Sequence, residues 1–218
     1  MFPSLYAILD PTLAPGPLAQ FASILADAGV ELIQLRDKQA TPAKVYAHAR
    51  ELAQLLAPRN VRFIVNDRPD TAAIVGAAGV HVGQEDLPVE DARRICGPPL
   101  WVGVSTHNLE QLREADQTSA DYIAVGPIFP TGTKENPDPV VGIDFLRAAR
   151  RLTRKPLVAI GGITIESASE VFRAGADSVA IIRDLLAAPD PGKRAREYLA
   201  VAERARSAND AQPRRIES

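Results

Sequence analysis

Eight short apolar segments recur along the chain, and most of the stretches between them carry apolar residues at helical spacing. The segments are Leu5–Leu9, Leu32–Leu35, Arg62–Val65, Val80–Gly83, Trp101–Val104, Tyr122–Val125, Leu157–Ile160 and Ser178–Ile182. Most are rich in valine and isoleucine, and several are apolar at consecutive positions, which is typical of parallel strands buried on both faces. Strand and helix alternating eight times within about 200 residues predict a (β/α)8 barrel, with a doubly wound open sheet as the alternative.

Several helix boundaries are marked by residues that favour helix ends. Thr41 followed by Pro42 predicts a helix that ends at Pro58, and Asn108 and Thr164 each predict a further helix start. A last helix is expected from Pro191 to about Ser207. We therefore expect one catalytic barrel domain over residues 1–206, followed by a polar and frayed tail over residues 207–218.

The bulk composition and the N-terminal segment make a cytoplasmic enzyme the default expectation. The net charge of −2 favours neither a nucleic acid nor a membrane as partner, and no apolar run approaches the ~18 residues of a membrane span. The N-terminus has no basic segment, so no signal peptide is expected. The single cysteine, Cys96, excludes an internal disulfide and is expected to be a small buried residue. The composition favours no particular oligomeric state.

Polar residues and glycines cluster where seven of the predicted strands end. These ends are Gln34-Leu35-Arg36-Asp37-Lys38, Asn66-Asp67, Gly83-Gln84-Glu85-Asp86, Ser105-Thr106-His107, Gly126-Pro127, Gly161-Gly162 and Arg183-Asp184. Active sites of such barrels lie at the carboxyl ends of the strands. The pattern therefore predicts a ring of site residues around one mouth. Asp10 could line the same mouth or begin a turn. His48 is expected to be a surface residue, and His81 is expected to be a hydrogen-bonded residue of the core.

Gln34, Arg36 and Lys38 alternate along the second strand, so their side chains share one face and Leu35 points towards the helices. Two cations and an amide on an inward face are costly unless an anion meets them, which predicts a phosphate site. The alternative is a surface edge with ordinary ion pairs, for instance to Asp37.

Asp67 and Asp86 end neighbouring strands, which lie about 5 Å apart in a sheet, so both carboxylates can reach one cation. Few oxygen ligands with phosphate completing the shell predict Mg2+. The alternative is that each aspartate caps the helix that follows it.

The loop after the sixth strand, residues 128–140, is long for its position, which is typical of functional loops. Thr131, Gly132, Thr133 and Lys134 could hold a phosphate there, and the alternative is a flexible surface loop. Gly161-Gly162 and Ile182-Arg183 follow the seventh and eighth strands, where such barrels commonly bind phosphate through main-chain N–H groups.

The chain resembles the thiamine-phosphate synthase family over residues 5–185. The segments that carry the resemblance are QLRDK (34–38), VNDRPDTA (65–72), GVHVGQEDLP (79–88), VGVSTHNLEQ (102–111), DYIAVGPIFPTGTK (121–134) and AIGGIT (159–164). It implies a transferase of thiamine biosynthesis that joins hydroxymethylpyrimidine diphosphate to a thiazole phosphate with Mg2+. Pyrophosphate leaves in a dissociative reaction, and CO2 is also released when the thiazole is carboxylated.

The resemblance also implies roles for individual residues. Pyrimidine diphosphate would be bound by Gln34, Leu35, Arg36, Asp37, Lys38, Asn66, Ser105 and Lys134. Mg2+ would be held by Asp67 and Asp86. Thiazole phosphate would be bound by Thr131, Gly132, Thr133, Gly162, Ile182 and Arg183. The catalytic residues would be Arg36, Lys38, Ser105 and Lys134.

Arg183 departs from the family, which usually has serine there; it could strengthen the grip on phosphate or turn outward to Asp184. A related thiazole tautomerase is the first rival, and it would lack Asp86 and carry histidine after Gly126. A catalytically inactive sensor barrel would lack an aspartate ligand or Lys134. A sugar-phosphate isomerase would need a general base placed on its substrate.

Overall fold

The computed structural model describes residues 1–132 and 138–210, which form eight strands closed into one parallel barrel. The strands are β1 (Leu5–Leu9), β2 (Leu32–Leu35), β3 (Arg62–Asn66), β4 (Gly79–Val82), β5 (Trp101–Thr106), β6 (Tyr122–Val125), β7 (Leu157–Ile160) and β8 (Ser178–Ile181). Each strand pairs with the next in the chain, and β8 pairs with β1. The predicted single-domain (β/α)8 barrel is confirmed, with strand limits within two residues of those expected, and the open sheet was wrong.

Helices follow the strands and surround the barrel. They are α1 (Leu18–Asp27), α2 (Pro42–Leu56), α3 (Pro69–Val75), α4 (Val89–Cys96), α5 (Leu109–Gln117), α6 (Gly142–Leu152), α7 (Ile165–Arg173), α8 (Arg183–Leu186) and α9 (Pro191–Asp210). The three predicted helix starts are confirmed by side-chain caps. Thr41 accepts from the N–H of Lys44, Asn108 accepts from that of Gln111, and Thr164 forms a capping box. Helix α9 continues to Asp210, and residues 211–218 of the predicted tail lie outside the described residues.

Alternate residues of each strand serve two separate apolar layers. On β1, Leu5, Ala7 and Leu9 pack outward against the helices, whereas Tyr6 and Ile8 point into the barrel. All five are buried. This alternation explains why the strands read as continuous apolar runs, because both faces are removed from water.

The amino-terminal end of the barrel is filled by aromatic rings. Phe2 stacks on Trp101 with ring centroids 5.4 Å apart, and the guanidinium of Arg62 lies 4.8 Å from the centre of the Trp101 ring. Tyr122 lies above this pair and is fully buried. Trp101 thus serves in packing, and the aromatic rings close this end of the barrel.

The Tyr122 ring occupies space that a glycine leaves open. Gly103 faces the same interior, and a Cβ atom there would lie 2.0 Å from Cζ of Tyr122. Real side chains do not approach so closely, so the barrel interior depends on glycine at this position of β5.

Two further expectations from the sequence concern the one cysteine and membrane-spanning segments. Cys96 ends α4 and is half-buried rather than buried as expected, and this partial burial raises the pKa of its thiol. Within residues 1–132 and 138–210, we find no helix that combines the length and the apolar character needed to cross a bilayer.

We expect Gly103→Ala to lower the free energy of unfolding by about 2 kcal/mol, because the added methyl group forces the Tyr122 ring to move. Urea unfolding followed by circular dichroism measures the change. Gly16→Ala is the matched control, since its added Cβ would meet atoms no closer than 3.9 Å. Equal midpoints for the Gly103→Ala variant and the unmodified protein would contradict the packing argument.

Candidate active site

An open cavity of about 1800 Å³ lies at the carboxyl ends of the strands. It is lined by twelve of the predicted site residues: Gln34, Arg36, Lys38, Asn66, Asp67, Asp86, Ser105, Thr131, Gly132, Gly162, Ile182 and Arg183. Thr133 and Lys134 lie outside the described residues. The residues that the sequence placed at strand ends therefore come together around one mouth, as the fold requires.

Leu35 and Asp37 are absent from the lining of this cavity. Leu35 is buried in the layer between strands and helices, and the carboxylate of Asp37 lies 3.2 Å from Nδ1 of His48 on α2. Their side chains thus point away from the cavity, and a ligand would meet them through the main chain. The alternative interpretation, a surface edge in which Arg36 or Lys38 pairs with Asp37, is not supported, because these cations contact Asp10 and Asp67 instead. His48 is partly buried rather than a plain surface residue.

The guanidinium of Arg36 is fixed by an acid that the sequence left ambiguous. Nη1 of Arg36 donates to Asp10 at 2.6 Å, and the second oxygen of Asp10 accepts from the main chain and hydroxyl of Thr12. Asp10 is buried, so it both begins a turn and lines the mouth. An arginine held in this way presents its remaining donors to the cavity in a fixed direction.

Asp67 and Asp86 meet beside Lys38. Nζ of Lys38 lies 3.1 Å from Asp67, whose carboxyl is within hydrogen-bonding distance of that of Asp86. Burial, and next the proximity of Asp86, raise the pKa of Asp67 from 3.8 to about 6, although Lys38 acts in the opposite direction. Two carboxylates forced this close favour a bound proton or a bound cation.

Neither aspartate acts as the helix cap that was the alternative. The cap positions of α3 and α4 are Arg68 and Pro88, without side-chain cap bonds. Asp86 instead accepts from the N–H of Gly83 at 2.8 Å, and Asp67 has a φ of 61°, in the left-handed region. A non-glycine residue in that region is uncommon and is typical of functional positions.

The donor set suits a cation that takes part of its shell from a ligand. The described residues hold no cluster of three or more His, Cys, Asp or Glu side chains placed to bind a metal without help. Two carboxylates with open space beside them match Mg2+, which keeps waters and phosphate oxygens among its ligands.

A chain of hydrogen-bonded polar side chains crosses the barrel at the floor of the cavity. Gln34 donates to the hydroxyl of Tyr6 at 2.6 Å, and that hydroxyl lies 2.9 Å from the hydroxyl of Tyr122. Nδ1 of His81 lies 3.1 Å from the Tyr122 hydroxyl, and its Nε2 lies 2.9 Å from Oγ of Ser105. The predicted hydrogen-bonded burial of His81 is confirmed. The chain joins two candidate site residues, Gln34 and Ser105, across the interior.

Tyr6 and Tyr122 were not predicted from the sequence as residues of the site. A signal was available, since Tyr6 lies two and four residues before Ile8 and Asp10 and therefore shares their inward face. Tyr122 precedes Gly126 by four positions and shares an inward face in the same way. Because both tyrosines stand among apolar residues, the sequence pattern indicates only that they belong to buried strands.

Gly161 and Gly162 bring the loop after β6 against the end of β7. Both have positive φ, and a Cβ at either position would lie 2.4 Å from Pro127 or from the carbonyl of Pro130. The main-chain N–H of Phe129 donates to Gly161 at 3.0 Å. This pair of glycines therefore positions Thr131 and Gly132 at the cavity.

Arg183 does not turn outward to Asp184, which was one of the two expected alternatives. Its Nη2 donates to the carbonyl of Gly132 at 2.7 Å, which joins the end of β8 to the loop after β6. Asp184 is engaged by Arg194 at 2.8 Å and by the hydroxyl of Tyr198 at 2.6 Å, so the pairing of Arg183 with Asp184 was wrong. The guanidinium lines the cavity on the side opposite β3 and β4.

His107 lies at the mouth as predicted. Its Nδ1 donates to the carbonyl of Gly126 at 2.6 Å, and its Nε2 lies 3.5 Å from Asp138. These contacts tie the end of β5 to the residues that follow β6.

We expect the stability of the metal-free protein to fall more steeply with rising pH than that of Asp67→Asn. The pKa of Asp67 is about 6 in the folded state and near 3.8 when unfolded, so the folded state binds more protons between these values. Its free energy of unfolding therefore decreases as pH rises through that window, by about 1–2 kcal/mol for this group after allowance for partial exposure. Urea unfolding at pH 4, 5, 6 and 7 measures the difference.

Asp70→Asn is the matched control for this experiment. Arg68 lowers the pKa of Asp70, so this carboxylate stabilises the fold above its unfolded pKa, and its removal changes the pH dependence in the opposite direction. Parallel pH profiles for Asp67→Asn and the unmodified protein would show that Asp67 is not perturbed.

Comparison with known proteins places the chain in one family. A family model described as thiamine monophosphate synthase matches residues 5–185. The thiamine-phosphate synthase of Koribacter versatilis is 53% identical over 206 residues, covering 91% of this chain and 95% of that protein. That of Methanospirillum hungatei is 43% identical over 195 residues, covering 89% and 95%. The solved thiamine phosphate pyrophosphorylase from Pyrococcus furiosus superposes with a TM-score of 0.85 at 35% identity, covering 93% and 96%. The chain belongs to the thiamine-phosphate synthase family.

Proposed function

We propose that this chain joins hydroxymethylpyrimidine diphosphate to thiazole phosphate, giving thiamine phosphate and pyrophosphate. One observation carries the proposal: Arg36 and Lys38 face the same cavity as the paired carboxylates of Asp67 and Asp86. Cations beside a dicarboxylate cation site suit a diphosphate that must leave with its charge neutralised. A general base is not required, which distinguishes the site from that of a sugar-phosphate isomerase.

The pyrimidine diphosphate would occupy the side formed by β2 to β5. Arg36 and Lys38 would bind diphosphate oxygens, and Gln34, Asn66 and Ser105 would orient the pyrimidine, with Lys134 as a further predicted cation. The buried position of Gln34 and the cavity position of Ser105 support this arrangement. Leu35 and Asp37 would contribute main-chain groups only.

Mg2+ would be held by Asp67 and Asp86 with diphosphate oxygens. When bound, it would supply positive charge to the departing pyrophosphate. The close approach of the two carboxylates and their accessibility from the cavity support this assignment.

The thiazole phosphate would occupy the side formed by β6 to β8. Thr131 and Gly132, with the predicted Thr133, would bind its phosphate together with main-chain N–H groups of Gly162 and of Ile182-Arg183. The guanidinium of Arg183 adds a charged donor beside Gly132, which supports a stronger grip on phosphate.

The reaction would follow from this placement. Donors on Arg36 and Lys38 stabilise the negative charge that develops as the C–O bond to the diphosphate breaks. The resulting pyrimidinylmethyl cation is held away from bulk water in the deep part of the cavity, and the thiazole nitrogen attacks it. With a carboxylated thiazole, CO2 is lost as well.

The substrates are small molecules, and the one free thiol, Cys96, suits the reducing cytoplasm that we propose as the location of the protein.

The first test is synthesis of thiamine phosphate and pyrophosphate by purified protein from both substrates and Mg2+. We expect product formation to stop with EDTA and to fall at least a hundredfold in Asp86→Asn, because the cation loses one of two protein ligands. Asp91→Asn is the matched control, since Asp91 is a surface residue of α4 paired with Arg94. Absence of product with either thiazole form would refute the proposal and favour the tautomerase.

A second test concerns Arg183. We expect Arg183→Ser to raise the KM for thiazole phosphate about tenfold, because a charge-assisted hydrogen bond to phosphate is lost, and to leave the KM for the pyrimidine within twofold. Steady-state kinetics with each substrate varied in turn measure both constants. Arg173→Ser on α7 is the control, because Arg173 lies exposed and bonds its own helix. An unchanged KM for thiazole phosphate would mean that Arg183 serves the loop contact only.

A further inference from the structure

The hydrogen-bonded chain at the cavity floor has one direction in which both tyrosine hydroxyl protons find an acceptor among the described side chains. Tyr6 accepts from the amide nitrogen of Gln34, so its own proton must go elsewhere. Among the described residues, the other partner within reach of the Tyr6 hydroxyl is the hydroxyl of Tyr122. Tyr6 therefore donates to Tyr122, because a fully buried hydroxyl proton without an acceptor is costly.

The donor of each remaining hydrogen bond, from Tyr122 to the cavity, is then fixed in turn. Tyr122 has accepted from Tyr6, so it donates to Nδ1 of His81. The His81 ring then carries its proton on Nε2 and donates to Oγ of Ser105. Ser105 accepts from His81 through one lone pair, so its hydroxyl proton does not point to His81 and is directed into the cavity that Ser105 lines.

We propose that Tyr122 is a positioning residue that, through His81, makes the hydroxyl of Ser105 a hydrogen-bond donor to the pyrimidine diphosphate. Tyr122 is fully buried and does not line the cavity, so it acts through other side chains. The complementary group on the substrate is an acceptor, either a pyrimidine ring nitrogen or a diphosphate oxygen. The inference rests on the proposed function for the identity of that substrate.

Two further observations show that the position of the Tyr122 hydroxyl is built into the fold. Gly103 leaves the space for it, since a Cβ there would lie 2.4 Å from the Tyr122 hydroxyl oxygen. The His81 and Tyr122 rings stack with centroids 5.5 Å apart, which fixes the imidazole in plane. Burial raises the pKa of both tyrosines above its ordinary value, so both hydroxyls keep their protons at neutral pH.

The reversed direction fails on the same contacts. If Nδ1 of His81 donated to Tyr122, the Tyr122 proton would pass to Tyr6, and the Tyr6 hydroxyl would face donors from both sides. Its proton would then be buried without a described acceptor. Ser105 would donate to Nε2 and would offer the substrate only lone pairs, so the two directions predict opposite chemistry at the cavity surface.

Histidine 15N NMR of the full chain without ligands tests the direction. We expect His81, identified by the loss of its signals in His81→Asn, as a neutral ring with the proton on Nε2. Tyr122→Phe should shift it towards the other tautomer or a mixture, because the donor to Nδ1 is gone. A proton on Nδ1, or a doubly protonated ring at neutral pH, in the unmodified protein would overturn the inference. This result does not depend on synthase activity, so it is separate from failure of the proposed function.

Kinetics test the consequence for substrate. We expect Tyr122→Phe to raise the KM for pyrimidine diphosphate about tenfold, the effect of one lost hydrogen bond, and to leave the KM for thiazole phosphate within twofold. In a Ser105→Ala background, the same substitution should add less than twofold, because both changes act through one group. An equal rise in both KM values, or full additivity with Ser105→Ala, would show a general packing role and overturn the inference.

Thr106→Val is the matched control. Thr106 is buried on the outward face of β5 next to Ser105, and its hydroxyl donates to the carbonyl of Ala124 at 3.1 Å. The substitution removes a buried hydroxyl from the same strand without touching the chain of Gln34, Tyr6, Tyr122, His81 and Ser105. We expect both KM values to stay within twofold, and a selective rise in the KM for pyrimidine diphosphate would count against the inference.

Discussion

The pairing of β1 with β8 is the constraint on which the site depends. Tyr6 lies opposite Ala180 in this parallel pair, and the contact turns a twisted sheet into a closed ring. Closure places all eight carboxyl ends around one mouth. Residues as distant in the chain as Asp10 and Arg183 therefore line one cavity, and no single segment has to carry the whole site.

Gathering charges at this mouth carries a cost that the protein offsets locally. Arg36 is neutralised by Asp10, and Lys38 lies against Asp67. The pair of Asp67 and Asp86 is less well compensated, and burial with like charge raises the pKa of Asp67. Functional sites commonly keep such unfavourable arrangements, because a ligand or cation relieves them on binding.

Much of the fold could be predicted from the sequence, because strands buried on both faces leave continuous apolar runs such as Leu157–Ile160. Most residues that line the cavity could also be predicted to do so, since polar residues such as Asn66 and Asp86 stand out where a strand ends. The hydrogen-bond partner of each charged side chain could not be predicted. Whether Arg183 turns to Asp184 or to Gly132 depends on distances across the mouth, and these are set by the closed barrel rather than by neighbours in the chain.

The interior network shows a second limit of sequence reasoning. Tyr6 and Tyr122 lie in strands where tyrosine is common, and their link to Gln34 and Ser105 needs the register of several strands together. Leu35 and Asp37 illustrate the reverse case. They stand within the segment that carries the family resemblance, but neither lines the cavity, because Leu35 is buried against the helices and Asp37 lies against His48.

The stacking of Phe2 on Trp101 also determines from which end of the barrel the cavity can be reached. With the amino-terminal end of the described barrel filled by aromatic rings, the cavity communicates with solvent through the opposite end. Gln34 lies deep and is 2% exposed, whereas Gly132 and Arg183 lie exposed at the rim. One end of the described barrel is thus sealed by side chains, and the cavity wall runs from a buried floor at Gln34 to an exposed rim at Gly132 and Arg183. A filled amino-terminal end thereby gives the cavity a fixed depth and a single side of approach.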